Sequence, residues 1–234
     1  MIRALIFDVD GTLAETEEGH RQAFNAAFAE ARLDWVWDVG LYRELYSVTG
    51  GKERMRRYAD MRGISAAELS DAAIAGLHVR KNAHYAELVR AGESPLRPGV
   101  ERLIRSSRDR GLRLAISTTT SRVNIVELVE ATLGPDGLAL FEAVVSGEDV
   151  VAKKPAPDAY LRVLEALALR PDECLAFEDS YNGLLSARAA GVATIVTPSL
   201  YTRHETFDGA AMIMPDLTDF DPAGSGFASE AASA

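Results

Sequence analysis

Six short apolar runs punctuate the chain: ALIFD near its start, LRLAIST near 112, FEAVVS near 141, ECLAFED near 173, VATIVT near 192 and AAMIM near 210, with helical segments between them. Strands alternating with helices predict a parallel, doubly wound α/β sheet. One interval breaks the rhythm. From about Glu15 to about Ala91 there is no strand signal, only helical periodicity, as in HRQAFNAAFAEA and AAELSDAAIAGLHVRKNAHYAELV. That length is several times a normal βα connection, so it predicts an inserted all-helical domain over the sheet's carboxyl edge. The division expected is a Rossmann-like core from residues 1–14 and 92–221, with SPLRPGV marking the return to the sheet, and a helical cap over 15–91. The small, polar stretch 222–234 is expected to be disordered.

Composition narrows the class of function. With 234 residues, 47% hydrophobic and 26% charged, the chain can bury a full core and a smaller inserted domain. A net charge of −10 argues against nucleic acid or an anionic membrane held by bulk charge, though it leaves room for a positive pocket. One cysteine, Cys174, allows no internal disulfide and fits a reducing compartment. No stretch has the pattern of a signal peptide or the length of a membrane span. A cytoplasmic monomer acting on a small molecule is the expectation.

The strand ends carry the chemistry. In open α/β sheets ligands bind at the carboxyl edge, and the first run delivers Asp8 and Asp10 there, in DVDGT. Two carboxylates on one loop repel unless a cation or proton lies between them. The other edge loops bring Ser117, Thr118, Thr119 and Thr120 after LRLAI, Lys153 and Lys154 in KKPAPD, and Glu178 and Asp179 in FEDS. Singly, each reads equally well as a helix cap or a solvated surface pair. Four such loops at one edge read as a site. Asp8, Asp10 and Asp179 form an all-oxygen set suited to Mg²⁺, and a hydroxyl and a lysine opposite would balance the remaining oxygens of a phosphoryl group. No cluster suits zinc, and the nucleotide-loop, dinucleotide and serine-hydrolase signatures are absent.

On DVDGT (8–12), Thr118 of AISTTT, Lys154 of KKPAPD and FEDS (177–180), in that order and spacing, the sequence closely resembles the haloacid dehalogenase superfamily of phosphatases and mutases. The resemblance implies that Asp8 is the nucleophile, forming an aspartyl phosphate, and that Asp10 protonates the leaving alkoxide and then activates water. It implies Mg²⁺ held by Asp8, the backbone carbonyl of Asp10 and Asp179, with Glu178 there directly or through water. The second aspartate and the Gly-Thr pair, with Thr12 at the phosphate, disfavour dehalogenation. Thr118 and Lys154 would bind the phosphoryl group, with Thr119 beside them; Ser117 or Thr119 in place of Thr118, and Lys153 in place of Lys154, are the one-residue alternatives. The acid role of Asp10 asks for a raised pKa.

Substrate choice falls to the insertion, where VTGGKERMRRY places Gly50, Gly51, Lys52 and Arg54 at a helix start and HVRKN places His78, Arg80 and Lys81 on a later helix. Backbone amides at a helix start plus basic side chains make an anion site, which suggests a substrate with a second anionic group. Arg56 and Arg57 read as exposed surface. TGGKERM together with ETEEGHR is similar to the CbbY branch of xylulose-1,5-bisphosphate phosphatases. That branch implies removal of the C1 phosphate from a Rubisco inhibitor in carbon-fixing metabolism, with Glu17 on sugar hydroxyls and Gly50 to Arg54, with Arg80, on the distal phosphate. The core motifs are shared with β-phosphoglucomutase-like enzymes, so a mutase is the alternative. His20 is assigned equally to the hinge or the substrate. Trp35 and Trp37 read as packing in the cap.

Overall fold

The computed structural model describes residues 1–222; the stretch expected to be disordered lies almost wholly outside them. All six apolar runs are strands: β1 (Ala4–Phe7), β2 (Arg113–Ser117), β3 (Ala143–Val145), β4 (Cys174–Glu178), β5 (Ala193–Val196) and β6 (Met212–Ile213). They form one parallel sheet in the order β3-β2-β1-β4-β5-β6. β1 is central, with Phe7 level with Ile116 on one side and Phe177 on the other. The chain turns from one half of the sheet to the other between β1 and β4, the place where such sheets open a crevice.

Covered on both faces, the sheet reads as unbroken apolar runs because alternate residues enter different cores. Leu5, Phe7, Ile116 and Phe177 pack with α5 (Val100–Asp109) and α6 (Arg122–Leu133). Ala4, Ile6, Ala115 and Ala176 pack with α7 (Asp158–Leu167) and α8 (Tyr181–Ala189). Small residues on this second face let Tyr160, Val163 and Leu167 approach closely, and every β1 side chain is buried.

Between β1 and α5 lie α1 (Glu17–Glu30), α2 (Val39–Leu45), α3 (Gly51–Met61) and α4 (Asp71–Arg90), with no strand of the sheet among them. Asp38 caps α2 through Leu41 N at 2.8 Å and Ser70 caps α4 through Ala73 N at 3.2 Å. Their core is aromatic: Phe24, Phe28, Trp35, Trp37, Tyr42 and Tyr58 are buried together. Trp37 lies 4.7 Å from Phe24 and 4.9 Å from Phe28, and neither tryptophan reaches the cleft, which agrees with the packing role read from the sequence. No helix among the described residues is long and apolar enough to cross a membrane.

Candidate active site

A cleft opens between the carboxyl edge of the sheet and the helical insertion, lined from below by Asp8, Asp10, Thr118, Thr119, Lys154 and Asp179 and from above by Glu17, Gly50, Gly51, Lys52, Arg54 and His78. Asp8 follows β1 and Asp179 follows β4, so adjacent strands carry both to the crevice. Gly11 closes the turn after Asp10 at φ +79, and a Cβ there would strike the Asp179 carboxylate. Glycine is required on both grounds.

Lys154 stands at the centre. Its Nζ donates to Asp8 Oδ1 at 2.6 Å, Glu178 Oε1 at 2.7 Å and the Ser117 carbonyl at 2.9 Å, all buried. Lys153 turns the other way, to Glu53 Oε1 at 2.7 Å, so of the two lysines it is Lys154 that meets Asp8. Burial lowers the Lys154 pKa, but the charges of Asp8 and Glu178 more than offset it and hold the ammonium above its ordinary value. Burial raises the Asp8 carboxyl, against the opposing pull of Lys154. Burial likewise raises Glu178 to about 7 and pushes Asp179 well above the usual carboxylate range, with the Asp8 charge adding to both.

These three carboxylates can bring one oxygen each within 4.8 Å of one another. Glu178 Oε1 accepts from Lys154 and from Tyr160 OH, while Glu178 Oε2 is buried with no hydrogen-bond partner. An orphaned carboxylate oxygen inside an all-oxygen set that holds more negative charge than its one lysine neutralises fits a divalent metal. Ser180 of the same motif caps α8, accepting from Gly183 N at 3.2 Å.

The hydroxyl run does not serve as a helix cap. Ser121 occupies the cap position of α6 without a capping bond and instead accepts from Asn82 Nδ2 of α4 at 3.1 Å. Thr118, Thr119 and Thr120 all line the cleft, whereas Ser117 Oγ is buried without a partner.

Asp10 departs from expectation. Its Oδ1 accepts from Thr16 Oγ1 at 2.6 Å and from His20 Nε2 at 3.0 Å, and His20 Nδ1 accepts from Lys81 Nζ at 2.8 Å. Burial raises the Asp10 pKa, but its interaction with His20, the Thr16 hydroxyl and the Lys81 charge together outweigh it and hold the carboxyl well below its ordinary value. The raised pKa expected for an acid is absent in this arrangement. His20 stands between Asp10 and Lys81 and also lines the cleft.

In the insertion, Glu17 Oε2 accepts from Tyr42 OH at 2.6 Å, and Tyr42 OH accepts in turn from Arg54 Nη1 at 2.7 Å. The Arg54 guanidinium is sandwiched at 4.9 Å from the Tyr42 ring and 5.0 Å from the Tyr46 ring. Three expected residues fall outside the cleft wall: Glu178, fully buried against Lys154, and Arg80 and Thr12. Arg80 is exposed on α4, with Nε 3.7 Å from Glu30 Oε1: His78 and Lys81, three apart, share the face turned to α1, and Arg80 projects from another. Thr12 is buried inside the turn with Oγ1 unpartnered. Of the two arginines read as surface, Arg57 is exposed, whereas Arg56 is half-buried, bonded to Leu69 O and Asp71; neither lines the cleft. Tyr42, Tyr46, Thr16 and Asn124 were not singled out from the sequence; Thr16 and His20 carried a faint signal in their one-turn spacing beside Asp10.

The chain belongs to the haloacid dehalogenase-like hydrolase family, whose description matches residues 2–191. With its CbbY relatives this makes it a phosphatase-type enzyme. It is 51% identical over 224 residues to the plasmid-encoded protein CbbY of Cupriavidus necator, covering 93% of this chain and 87% of that one. It is 52% identical over 217 residues to CbbY of Rhodobacter capsulatus, covering 93% and 94%. The crystal structure of CbbY from Rhodobacter sphaeroides in complex with phosphate superposes with a TM-score of 0.89 at 44% identity, over 94% of this chain and 96% of that one. The D10N mutant of the same protein has been solved in complex with xylulose-(1,5)bisphosphate.

Proposed function

We propose that this protein is a Mg²⁺-dependent sugar-bisphosphate phosphatase that converts xylulose 1,5-bisphosphate to xylulose 5-phosphate through an aspartyl phosphate on Asp8, and so clears a Rubisco inhibitor. The observation that carries the reading is the buried group of Asp8, Lys154, Glu178 and Asp179 facing a cleft whose other wall supplies Lys52, Arg54 and His78. The binding of xylulose-(1,5)bisphosphate by a protein 44% identical supports the substrate. Residues 15–91 act as the cap and 1–14 with 92–221 as the core. The single, buried Cys174 fits the reducing conditions of the cytoplasm.

Asp8, Asp179, Glu178 and the Asp10 carbonyl would hold Mg²⁺, whose charge would balance the phosphoryl oxygens beside Asp8. A carboxylate oxygen of Asp8 attacks phosphorus, and the bond from phosphorus to the C1 oxygen breaks. Lys154 favours the carboxylate form of Asp8 against the effect of burial and, with the Thr118 hydroxyl, steadies the equatorial oxygens; positioned charge does most of the work in such transfers. Asp10 gives its proton to the leaving C1 oxygen. Water then attacks the phosphorus of the aspartyl phosphate, Asp10 takes the water proton, and inorganic phosphate departs from a regenerated Asp8. Bonded to His20 and Thr16, Asp10 is ionised and suited to the second of these roles. Turning from those partners towards the leaving oxygen removes what lowers its pKa, so the acid form belongs to the turned side chain.

The test is incubation with Mg²⁺ and, separately, xylulose 1,5-bisphosphate, ribulose 1,5-bisphosphate, fructose 1,6-bisphosphate and β-glucose 1-phosphate, following released phosphate and sugar products. Rapid phosphate release from the xylulose compound alone is expected. Conversion of β-glucose 1-phosphate to glucose 6-phosphate without net release would make the enzyme a mutase and overturn the proposal.

A further inference from the structure

Lys153 sits next to Lys154 in sequence yet reaches across the cleft. Its ammonium bonds Glu53 Oε1 at 2.7 Å, joining a loop of the sheet to the first turn of α3. Glu53 folds back over its own helix start: a Cβ on Gly50 would collide with Glu53 Oε2 and lie 2.7 Å from Lys153 Nζ, and Gly50, at φ +99, leaves that room. Gly51, Lys52 and Glu53 open the helix, so their amides have no carbonyl one turn earlier to bond. His78 Nε2 stands 2.6 Å from where a Cβ on Gly51 would be. A carboxylate of the chain itself therefore occupies the mouth of α3, among the basic groups that the sugar-bisphosphate reading gives to the distal phosphate. The Lys153 side chain is 18% exposed and that of Glu53 45%, and pairs this open contribute little stability and exchange readily.

We infer that Glu53 is an internal counter-anion: its carboxylate neutralises Lys153 at the start of α3, the substrate's second anionic group competes for that place, and Lys153 thereby becomes a specificity-determining contact for doubly anionic sugar phosphates. This rests on the proposed bisphosphate substrate. A phosphate dianion offers three acceptor oxygens and more charge than one carboxylate, so it wins the contest with Glu53. A substrate with a single phosphate spends that group at Asp8 and leaves the Lys153–Glu53 pair in place. Discrimination then arises on the core side of the cleft as well as in the insertion.

The experiment compares kcat and KM for xylulose 1,5-bisphosphate and xylulose 1-phosphate on the wild type, Glu53→Gln, Lys153→Met and the double variant, with thermal unfolding of each. Glu53→Gln should lower KM for the bisphosphate by roughly 2- to 5-fold, the range an exposed ion pair supports. Lys153→Met should cut the bisphosphate-to-monophosphate ratio of kcat/KM by about 10-fold or more, as for loss of a charged hydrogen bond. The double variant should match Lys153→Met, because Glu53 competes only through that lysine. A higher KM in Glu53→Gln, or an unchanged ratio in Lys153→Met, overturns the inference. If the wild type itself shows no preference for the bisphosphate, the substrate reading fails and takes the inference with it; a preference indifferent to both residues refutes the inference alone.

Discussion

Replacing Lys81 with methionine separates what this side chain does for stability from what it does for catalysis. Lys81 is buried, donates to His20 Nδ1 and stands 5.2 Å from the Phe24 ring and 5.0 Å from the Tyr85 ring. Burial lowers its pKa from 10.5 to about 8, even though Asp10 and Glu17 pull it upward. At about 1.4 kcal/mol per pH unit, keeping the ammonium charged in the folded protein costs roughly 3 kcal/mol at neutral pH. Methionine removes that cost and preserves the apolar stem against the rings, but it leaves His20 Nδ1 unpaired, a penalty of about 1–3 kcal/mol. The two nearly cancel, so Lys81→Met should change stability at pH 7 by less than about 2 kcal/mol, unlike the 3–5 kcal/mol typical of breaking a buried pair. The pH dependence sharpens the test. The unfolded chain holds the Lys81 proton up to 10.5 and the folded protein only to about 8, so between these values the wild type gains stability as pH rises and the variant does not. Urea unfolding of both proteins below and above that window should show the difference moving in the wild type's favour by about 3 kcal/mol. Activity should fall all the same, by roughly 100-fold in kcat, because His20 loses the donor that fixes it as the Nε2–H tautomer facing Asp10. A flat difference across the window, or one moving against the wild type, would refute the reasoning.

Asp10→Asn should abolish turnover while calorimetry still detects Mg²⁺ binding, since the Asp10 side chain is engaged by Thr16 and His20 rather than by the carboxylate cluster. Added Mg²⁺ should raise the unfolding temperature, corresponding to about 2.7 kcal/mol at a hundredfold excess over Kd, and Asp179→Asn should remove most of the rise. His78, whose pKa burial and then Lys81, Lys52 and Lys153 lower from 6.5 to about 3, stays neutral in the fold while the unfolded chain protonates. Its contribution to stability is therefore complete above 6.5 and lost as pH falls towards 3, and His78→Gln should flatten that acid limb in denaturant titrations.

The six strands were legible because a parallel strand buried on both faces leaves an apolar run with no polar alternation, as in ALIF and CLAFE. Asp8, Lys154 and Asp179 were legible because strand ends of one sheet share an edge. The contacts of the insertion were harder to read. Whether Arg80 or Lys81 faces the cleft turns on one residue of helical phase, set by the packing of α4 on α1 that brings His20 within 3.9 Å of the Tyr85 ring. The same packing lowers the pKa of Asp10, because Lys81 lies 61 residues from His20 in sequence and meets it only in the fold. Tyr42 and Tyr46 gave no sign of their role either, since an aromatic residue near a helix reads as core until its hydroxyl or ring is seen against Glu17 and Arg54.

Trapping the intermediate tests the proposed chemistry most directly. The wild type, mixed with Mg²⁺ and xylulose 1,5-bisphosphate, quenched in acid early in turnover and treated with borohydride, should yield homoserine at position 8 alone, since borohydride reduces an acyl phosphate but not a free carboxylate; the Asp10→Asn variant, lacking the acid for the leaving C1 oxygen, should give little or none. An unmodified Asp8 in the wild type, while it releases phosphate from the same substrate, would contradict transfer through this residue.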